Sequence, residues 1–388
     1  MDFDYPSDAE ELRRELRSWL DANLTDRLRA ARWANASDPD HEDVALLRKW
    51  NAELADAGYA AIAWPEEYGG RGAGVMEQVV LAEEMSRADA PGTLNPIGIS
   101  NIAPSIMQHG TEAQKRRFLP RMLRGDDIWC QGFSEPDAGS DLASLSTSAV
   151  RDGDHYVVNG QKVWTTLGHL ANWCELLVRT DPSVPRHRGI SCLLVDMTLP
   201  GVEVRPLVTI TGERDFNEIF FTDVRVPTSS LLGPENDGWR VAMTTLAHER
   251  GGVAGLHLGL RKKIEKLLRL ARSTTRGGRP ASEDPVLRQR LAGIYLEGEL
   301  LKLLSQRALS AAIHGREMGA ESSLAKLTWS VAEQHLAEVA AQVLGPTAGN
   351  GEWGRDLVYS RSVTIAGGTT QVNKNIIAQR ILGLPRGD

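Results

Sequence analysis

Three cysteines in 388 residues are too few for a disulfide framework. Cys130, Cys174 and Cys192 cannot all pair with one another and match no metal-ligand spacing, so they are expected as reduced, structural thiols. The nine histidines also lack paired spacing, and no metal is expected. Long apolar runs are absent: charge interrupts each one well short of the roughly twenty residues that a membrane helix needs. Residues 1–20 are acidic and amphipathic rather than signal-like. The expectation is a cytoplasmic protein without membrane association. A net charge of −7 and the lack of any basic block argue against nucleic acid as a partner, yet leave room for a local cluster of Lys or Arg. Internal repeats and low-complexity tracts are missing too. What remains is a globular chain long enough for two or three domains.

Residues 7–126 read as helices with short breaks, over 9–23, 42–57, 74–87 and 99–109, followed by a capping-box pattern at Thr111-Glu-Ala-Gln114. From about residue 128 the pattern alternates. Asp152-Gly153 and Asn159-Gly160 are two-residue hairpin signals separating strands at 149–150, 156–158 and 162–164. Further strands are expected at 173–179, 190–196, 202–207 and 218–224. The helical period returns over 239–272, 285–314, 322–344 and 372–381, with Gly277-Gly-Arg-Pro280 as a loop. The expected fold class is therefore α+β: an N-terminal all-α domain (1–126), a small central β-domain (127–233) and a C-terminal four-helix bundle (234–388).

The densest chemistry lies in Phe133-Ser-Glu-Pro-Asp-Ala-Gly-Ser-Asp141 and Asn159-Gly-Gln-Lys-Val-Trp-Thr-Thr166. Ser134, Ser140, Thr165 and Thr166 offer hydroxyls, Gly132 and Gly139 permit close backbone approach, and Trp164 offers a flat aromatic wall. Read alone, these residues fit either a ligand cradle or two turns in a β-region. Three further segments occur in order with them: Trp64-Pro-Glu-Glu-Tyr-Gly-Gly70, Gly110-Thr-Glu-Ala-Gln-Lys-Arg-Arg-Phe-Leu-Pro120 and Gly367-Gly-Thr-Thr-Gln-Val-Asn-Lys-Asn-Ile-Ile-Ala378. Together they resemble, nearly end to end, the acyl-CoA dehydrogenase family, flavoenzymes that place a double bond between the α and β carbons of an acyl-CoA thioester.

The resemblance implies FAD as cofactor. Ser134 and Thr166 would bond the isoalloxazine edge, Thr165 would belong to the same cradle, and Trp164 would stand beside the ring. Ser140 would lie near the pantetheine or phosphates of CoA. Gln342-Val-Leu-Gly345 matches the segment that reaches the flavin adenine half across a subunit interface, so Gln342 and Gly345 are cofactor candidates, as are Thr369 and Gln371 of the terminal motif. The backbone N–H of Gly367 would polarise the thioester carbonyl. One departure stands out: the family's Arg-x-x-Phe-Gly signature is not visible in Arg272-Ser-Thr-Thr-Arg-Gly-Gly-Arg279. Which arginine meets the pyrophosphate is left open.

Removing the α proton requires a base while the β hydrogen leaves as hydride. Ala242, Leu246, Val253, Leu256 and Leu260 mark an apolar stripe, and Glu249 lies on it at intervals of three and four residues. By itself Glu249 fits a surface salt bridge as well as a buried base; burial would raise its pKa toward neutrality. The family takes its base either from this helix or from the residue just before the terminal Gly-Thr, and that second position here is Gly367, without a side chain. The resemblance thus implies Glu249 as base, as in the isovaleryl and long-chain branch. Arg250, about 100° around the helix, is not automatically its partner and is assigned to substrate. Gly251-Gly252 fits a close approach or a helix kink.

Gln131-Gly-Phe-Ser-Glu-Pro136 and Thr211-Gly-Glu-Arg-Asp-Phe-Asn-Glu-Ile219 resemble the subgroup acting on bulky, branched or sterol side-chain acyl-CoAs. The implied partners are an acyl-CoA, an electron-transferring flavoprotein, and sister subunits in a homotetramer or mixed tetramer. Two other readings stay open: a flavin oxidase or monooxygenase on the same fold, and a catalytically silent flavin-binding subunit.

Overall fold

Apolar residues recurring every three or four positions produce the first helices: α1 (Ser7–Asn23), α2 (Asp26–Ala30), α3 (Glu42–Asp56), α4 (Val75–Arg87), α5 (Ala103–His109) and α6 (Glu112–Arg124). A π-helical segment, Ile97–Ile102, leads directly into α5. The expected capping box at α6 forms in full. Thr111 accepts from the Gln114 N–H, Gln114 Oε1 accepts from the Thr111 N–H, and Gly125 closes the helix at φ 75°. The Gln114 amide also donates to the carbonyls of Ser229 and Leu231, tying α6 to the far end of the sheet.

The computed structural model describes residues 5–31, 38, 40–249, 255–313 and 320–385. They form two units, one of residues 14–74 and 87–249, the other of residues 1–13, 75–86 and 250–388. The first holds a seven-stranded sheet of β1 (Trp129–Gly132), β2 (Ser148–Asp152), β3 (His155–Thr166), β4 (Trp173–Arg179), β5 (Ile190–Asp196), β6 (Val202–Leu207) and β7 (Phe216–Pro227). Its order is β1-β4-β2-β3-β7-β6, with β5 on the other side of β4. One sheet face carries Cys130, Leu176, Leu193 and Ile219. The opposite face carries Trp129, Leu177, Cys192 and Leu194, packed with Ile102 and Ile106 near and on α5, Leu119 on α6, and Val241 and Ala242 on α7 (Gly238–Glu249). Helix α7 starts hard against the sheet: a Cβ on Gly238 would lie 2.3 Å from the Ser191 carbonyl carbon.

The second unit contains α8 (Leu256–Ser273), α9 (Pro285–Ile313), α10 (Glu321–Leu344), α11 (Gly351–Tyr359) and α12 (Thr370–Arg380). Leu260, Ile264 and Leu267 of α8 meet Leu291, Ile294 and Leu301 of α9 and Leu336 and Val343 of α10. Among the described residues, no helix is long and apolar enough to cross a membrane.

Several expectations need correction. Asn159-Gly160 is not a hairpin turn; it is a bulge inside β3, which runs on from His155 to Thr166 against β7. The reason is steric. Gly160 sits at φ 151°, and a Cβ there would come within 2.7 Å of the Thr147 Cα, so the glycine serves close strand approach rather than chain reversal. The loop at 277–280 is a minimal hairpin of β8 (Thr275–Arg276) and β9 (Arg279–Pro280) turning through Gly277 and Gly278, both at positive φ. Of the helix expected over 239–272, the parts on either side are described as α7 and α8, and residues 250–254, including Arg250, Gly251, Gly252 and Val253, lie outside the described residues, so that expectation is not tested there. Helices α2 and α11 had no counterpart in the sequence reading. Replacing Gly160 with alanine should destabilise the protein by about 1–3 kcal/mol through strain at this bulge, read as a lower urea midpoint with an unchanged denaturant slope.

Candidate active site

The cradle is built from two segments of the first unit that lie far apart in sequence. The Val163 N–H donates to the Ser134 carbonyl at 2.9 Å, which brings Ser134 to the strand carrying Trp164, Thr165 and Thr166. Beneath this junction lies a buried ion pair. Lys162 has no exposed surface; its Nζ donates to Glu135 Oε1 at 2.8 Å and to the Phe133 carbonyl at 3.1 Å. Glu135 also accepts from the Ser146 N–H and hydroxyl and from the Thr147 N–H. Burial pushes the Glu135 carboxyl up, but Lys162 and the Thr147 and Ser146 bonds outweigh it and hold the pKa at about 2. Lys162 is driven down by burial, and the attraction of Glu135 opposes that. The Arg179 guanidinium then fastens the end of the loop through the carbonyls of Ala143 and Leu145.

At the top of this support, Trp164 adopts φ 62°, a conformation rare and strained for an aromatic residue. Its side chain is 60% exposed, with Phe216 edge-on at 5.9 Å. Thr165 is buried and its hydroxyl has no hydrogen-bond partner among the described residues, and the same holds for Gln131 Nε2 on β1. Ser134 and Thr166 are half-buried, whereas Ser140 is exposed beside Asp141, which pairs with Arg186 at 2.7 Å.

The remaining candidates belong to the other unit, apart from Glu249, the last described residue of α7. The backbone of Glu249 is described; its side chain is not. Gly345 caps α10 at φ 63°, and Gln342 lies one turn before it with its carbonyl accepting from Arg276. The fold thereby picks out Arg276 from the 272–279 stretch as the arginine held against Gln342. Thr369 is the N-cap of α12, its hydroxyl oxygen accepting from the Val372 N–H at 3.1 Å, and Gln371 is exposed in the first turn. Gly367 precedes them at φ 63°.

A further buried acid on the sheet went unread in the sequence. Glu175 on β4 is fully buried, and burial raises its pKa to about 8 against the one favourable bond from Thr245. Lys162 and Glu135 also escaped the sequence reading as a pair. The available signal was an ionisable residue inside an otherwise apolar strand, Trp-Cys-Glu-Leu-Leu-Val-Arg at 173–179, and a lysine on the inward phase of β3.

Three family descriptions match the chain in succession: the N-terminal, middle and C-terminal domains of acyl-CoA dehydrogenases, over residues 6–126, 130–224 and 236–382. The chain belongs to the acyl-CoA dehydrogenase family; it is a flavoprotein oxidoreductase that dehydrogenates an acyl-CoA. It is 42% identical over 388 residues to the acyl-CoA dehydrogenase IpdE1 of Mycobacterium tuberculosis, covering 98% of each chain. Among solved structures it is similar to the Tcur3481-Tcur3483 steroid ACAD, with a TM-score of 0.86, 32% identity and full coverage of both chains. The ChsE4-ChsE5 complex from Mycobacterium tuberculosis gives a TM-score of 0.85 at 35% identity, again over the full length of both chains. The cradle residues fit a flavin in kind: the exposed aromatic plane of Trp164 stands on the same strand as the half-buried hydroxyl of Thr166, with half-buried Ser134 held to that strand through Val163.

Breaking the support pair should be costly. Lys162→Met leaves Glu135 buried without its cation and should lose about 3–5 kcal/mol, measured by denaturant unfolding. Adding Glu135→Gln should recover a large part. In the wild type, the contribution of Glu135 is fully present above its unfolded pKa and is lost as pH falls toward about 2. Lys162→Met should move that acid-unfolding limb to higher pH.

Proposed function

We propose that Glu249 is the base for α-proton removal and that the flavin is FAD. Support for the base is positional. Glu249 is the last described residue of α7, whose preceding turns bury Val241, Ala242 and Thr245 against the sheet. The alternative position, Gly367, has no side chain. Its backbone N–H is proposed to hold the thioester carbonyl oxygen, acidifying the α carbon by stabilising charge on oxygen. Bound FAD would supply the acceptor for the β hydride. Ser134, Trp164, Thr165 and Thr166 are proposed to seat its ring. Gln342 and Gly345 would meet its adenine half from a neighbouring subunit, with Arg276 near the pyrophosphate, and Thr369 and Gln371 of the terminal motif would also contact the flavin. Ser140 and Arg250 are assigned to the acyl-CoA. Glu249→Gln should keep the yellow colour and bind acyl-CoA but fail to bleach the flavin; bleaching at the wild-type rate would remove Glu249 from this role.

The substrate is proposed to be a bulky or sterol side-chain acyl-CoA, because a chain matched along its full length is described as a steroid ACAD and Gly367 takes side-chain bulk away from the carbonyl. Rates across straight, branched and steroid-linked CoA esters test this, and a preference for butyryl-CoA would count against it. Electrons are proposed to pass to an electron-transferring flavoprotein; reoxidation by air as fast as with that acceptor would favour an oxidase instead. Assembly into a tetramer is supported by the exposed apolar face of α9, where Leu296, Leu300 and Leu303 follow one another at helical spacing. Two matched structures are two-component assemblies by their descriptions, and the missing Arg-x-x-Phe-Gly signature also favours a mixed tetramer. Native mass together with flavin content per chain distinguishes one kind of subunit from two. We propose domain boundaries at 126/127 and 233/234. The three cysteines, free and buried, support a reducing, cytoplasmic location.

A further inference from the structure

Glu175 is out of place as packing. Its neighbours along β4 are Cys174 and Leu176, its cross-strand partner on β5 is Leu194, and the sheet face it occupies is mainly apolar, with Trp129, Leu177, Cys192 and Leu194. A leucine there would fill the volume without the cost of a buried carboxyl, which needs partners to be tolerated. The partners present are specific. Thr245 Oγ1 donates to Glu175 Oε1 at 2.8 Å, and Ser105 Oγ lies 2.7 Å from Thr245 Oγ1, so a chain of hydroxyl bonds runs from α5 through α7 to the sheet. All three side chains are fully buried. Glu175 Oε2 has no hydrogen-bond partner among the described residues, and neither does Nε2 of Gln131, which is its register partner on the parallel strand β1.

Helix α7 is the element this network holds. Its other contacts with the sheet and α5 are mainly apolar, through Val241, Ala242 and Leu246, and apolar contact does not by itself fix rotation about a helix axis. Directional bonds do. Thr244 bonds His109 Nε2 at 2.8 Å, and Thr245 bonds Ser105 and Glu175, so two adjacent residues anchor α7 to α5 and to β4. Glu249 follows Thr245 by four residues, one turn farther along nearly the same helix face.

We infer that Glu175, acting through Thr245, is a positioning residue that sets the rotation and height of the turn of α7 from which Glu249 works. The inference rests on the reading of Glu249 as base. The groups around Glu175 also define its pH response. Cys192 on β5 lies 4.0 Å away and is itself driven up by burial; His109 on α5 is lowered by burial and by Arg240, and bonds Thr244. Gln131 on β1 and Thr245 on α7 carry no charge. Glu175 is therefore neutral until pH rises through about 8, where a charge appears under α7 and disturbs its seat.

The experiment follows flavin bleaching by acyl-CoA in the full-length holoenzyme, under anaerobic conditions, on both sides of pH 8. Thr245→Val and Glu175→Leu should each slow bleaching at saturating substrate by roughly tenfold or more, since sub-ångström placement of a base governs the rate, while half-saturation stays near the wild-type value. Thr245→Ser and Glu175→Gln should recover most of that loss. The wild type should decline above pH 8, and Glu175→Gln, which cannot ionise, should abolish that decline; a wild type without it would overturn the inference. If all four variants bleach at the wild-type rate with the wild-type pH profile, and only their melting temperatures move, the network is packing and the inference falls. Should Thr245→Val and Glu175→Leu not fold, the pH profile of Glu175→Gln decides: a lost alkaline decline supports the inference, and an unchanged one overturns it. Glu249→Gln is run in parallel. Bleaching by that variant would remove the base assignment itself, whereas its silence beside a normal Thr245→Val would leave the base standing and remove only the positioning role.

Discussion

The pairing of Lys162 with Glu135 joins the loop after β1 to the strand that carries the aromatic wall, and much of the first unit is arranged around it. A lysine without exposed surface is tolerated only because Glu135 and the Phe133 carbonyl answer its ammonium, and Glu135 is satisfied in turn by Ser146 and Thr147. An apolar pair of equal volume would bury as well, but it would not dictate which backbone atoms meet. Charge and direction together determine where Ser134 stands relative to Trp164, and a strained tryptophan can then be held facing outward.

The sheet works on both of its faces. One side packs Cys130, Leu176 and Leu193, and there the apolar interior is interrupted by Lys162 with Glu135. The other side meets α5, α6 and α7, and there the apolar packing is interrupted by Glu175 with Thr245 and Ser105. Each polar interruption coincides with a segment of the proposed site: Lys162 with Glu135 lies under the proposed flavin cradle, Glu175 with Thr245 under the helix of the proposed base. Hydrophobic burial supplies most of the stability without direction, and the few buried polar bonds supply geometry.

The element types were largely legible. The capping box at Thr111, the short apolar runs of β4 and β5, and the helical periods of α8 to α10 depend on neighbours within a few residues, and they appear where the pattern put them. The misread Asn159-Gly160 shows the limit of local rules. That dipeptide favours a hairpin in isolation, but the approach of Thr147 and the pairing of β3 with β7 claim its glycine for a bulge. The cradle residues were visible because they occur in a contiguous, ordered motif. Glu175 was not, because the meaning of a glutamate in an apolar strand depends on a threonine seventy residues later.

From its sequence alone this protein is assigned its family, its three-part order of helices, strands and helices, and the residue types of its cradle, since these are written in short motifs and local periodicity. Tertiary structure decided which of those residues are held and by what. Only the folded chain brings Ser134 to Val163, Lys162 to Glu135 and Thr245 to Glu175. The physical reason is that a buried charge or carboxyl is defined by partners that strand register and helix packing deliver from far along the chain.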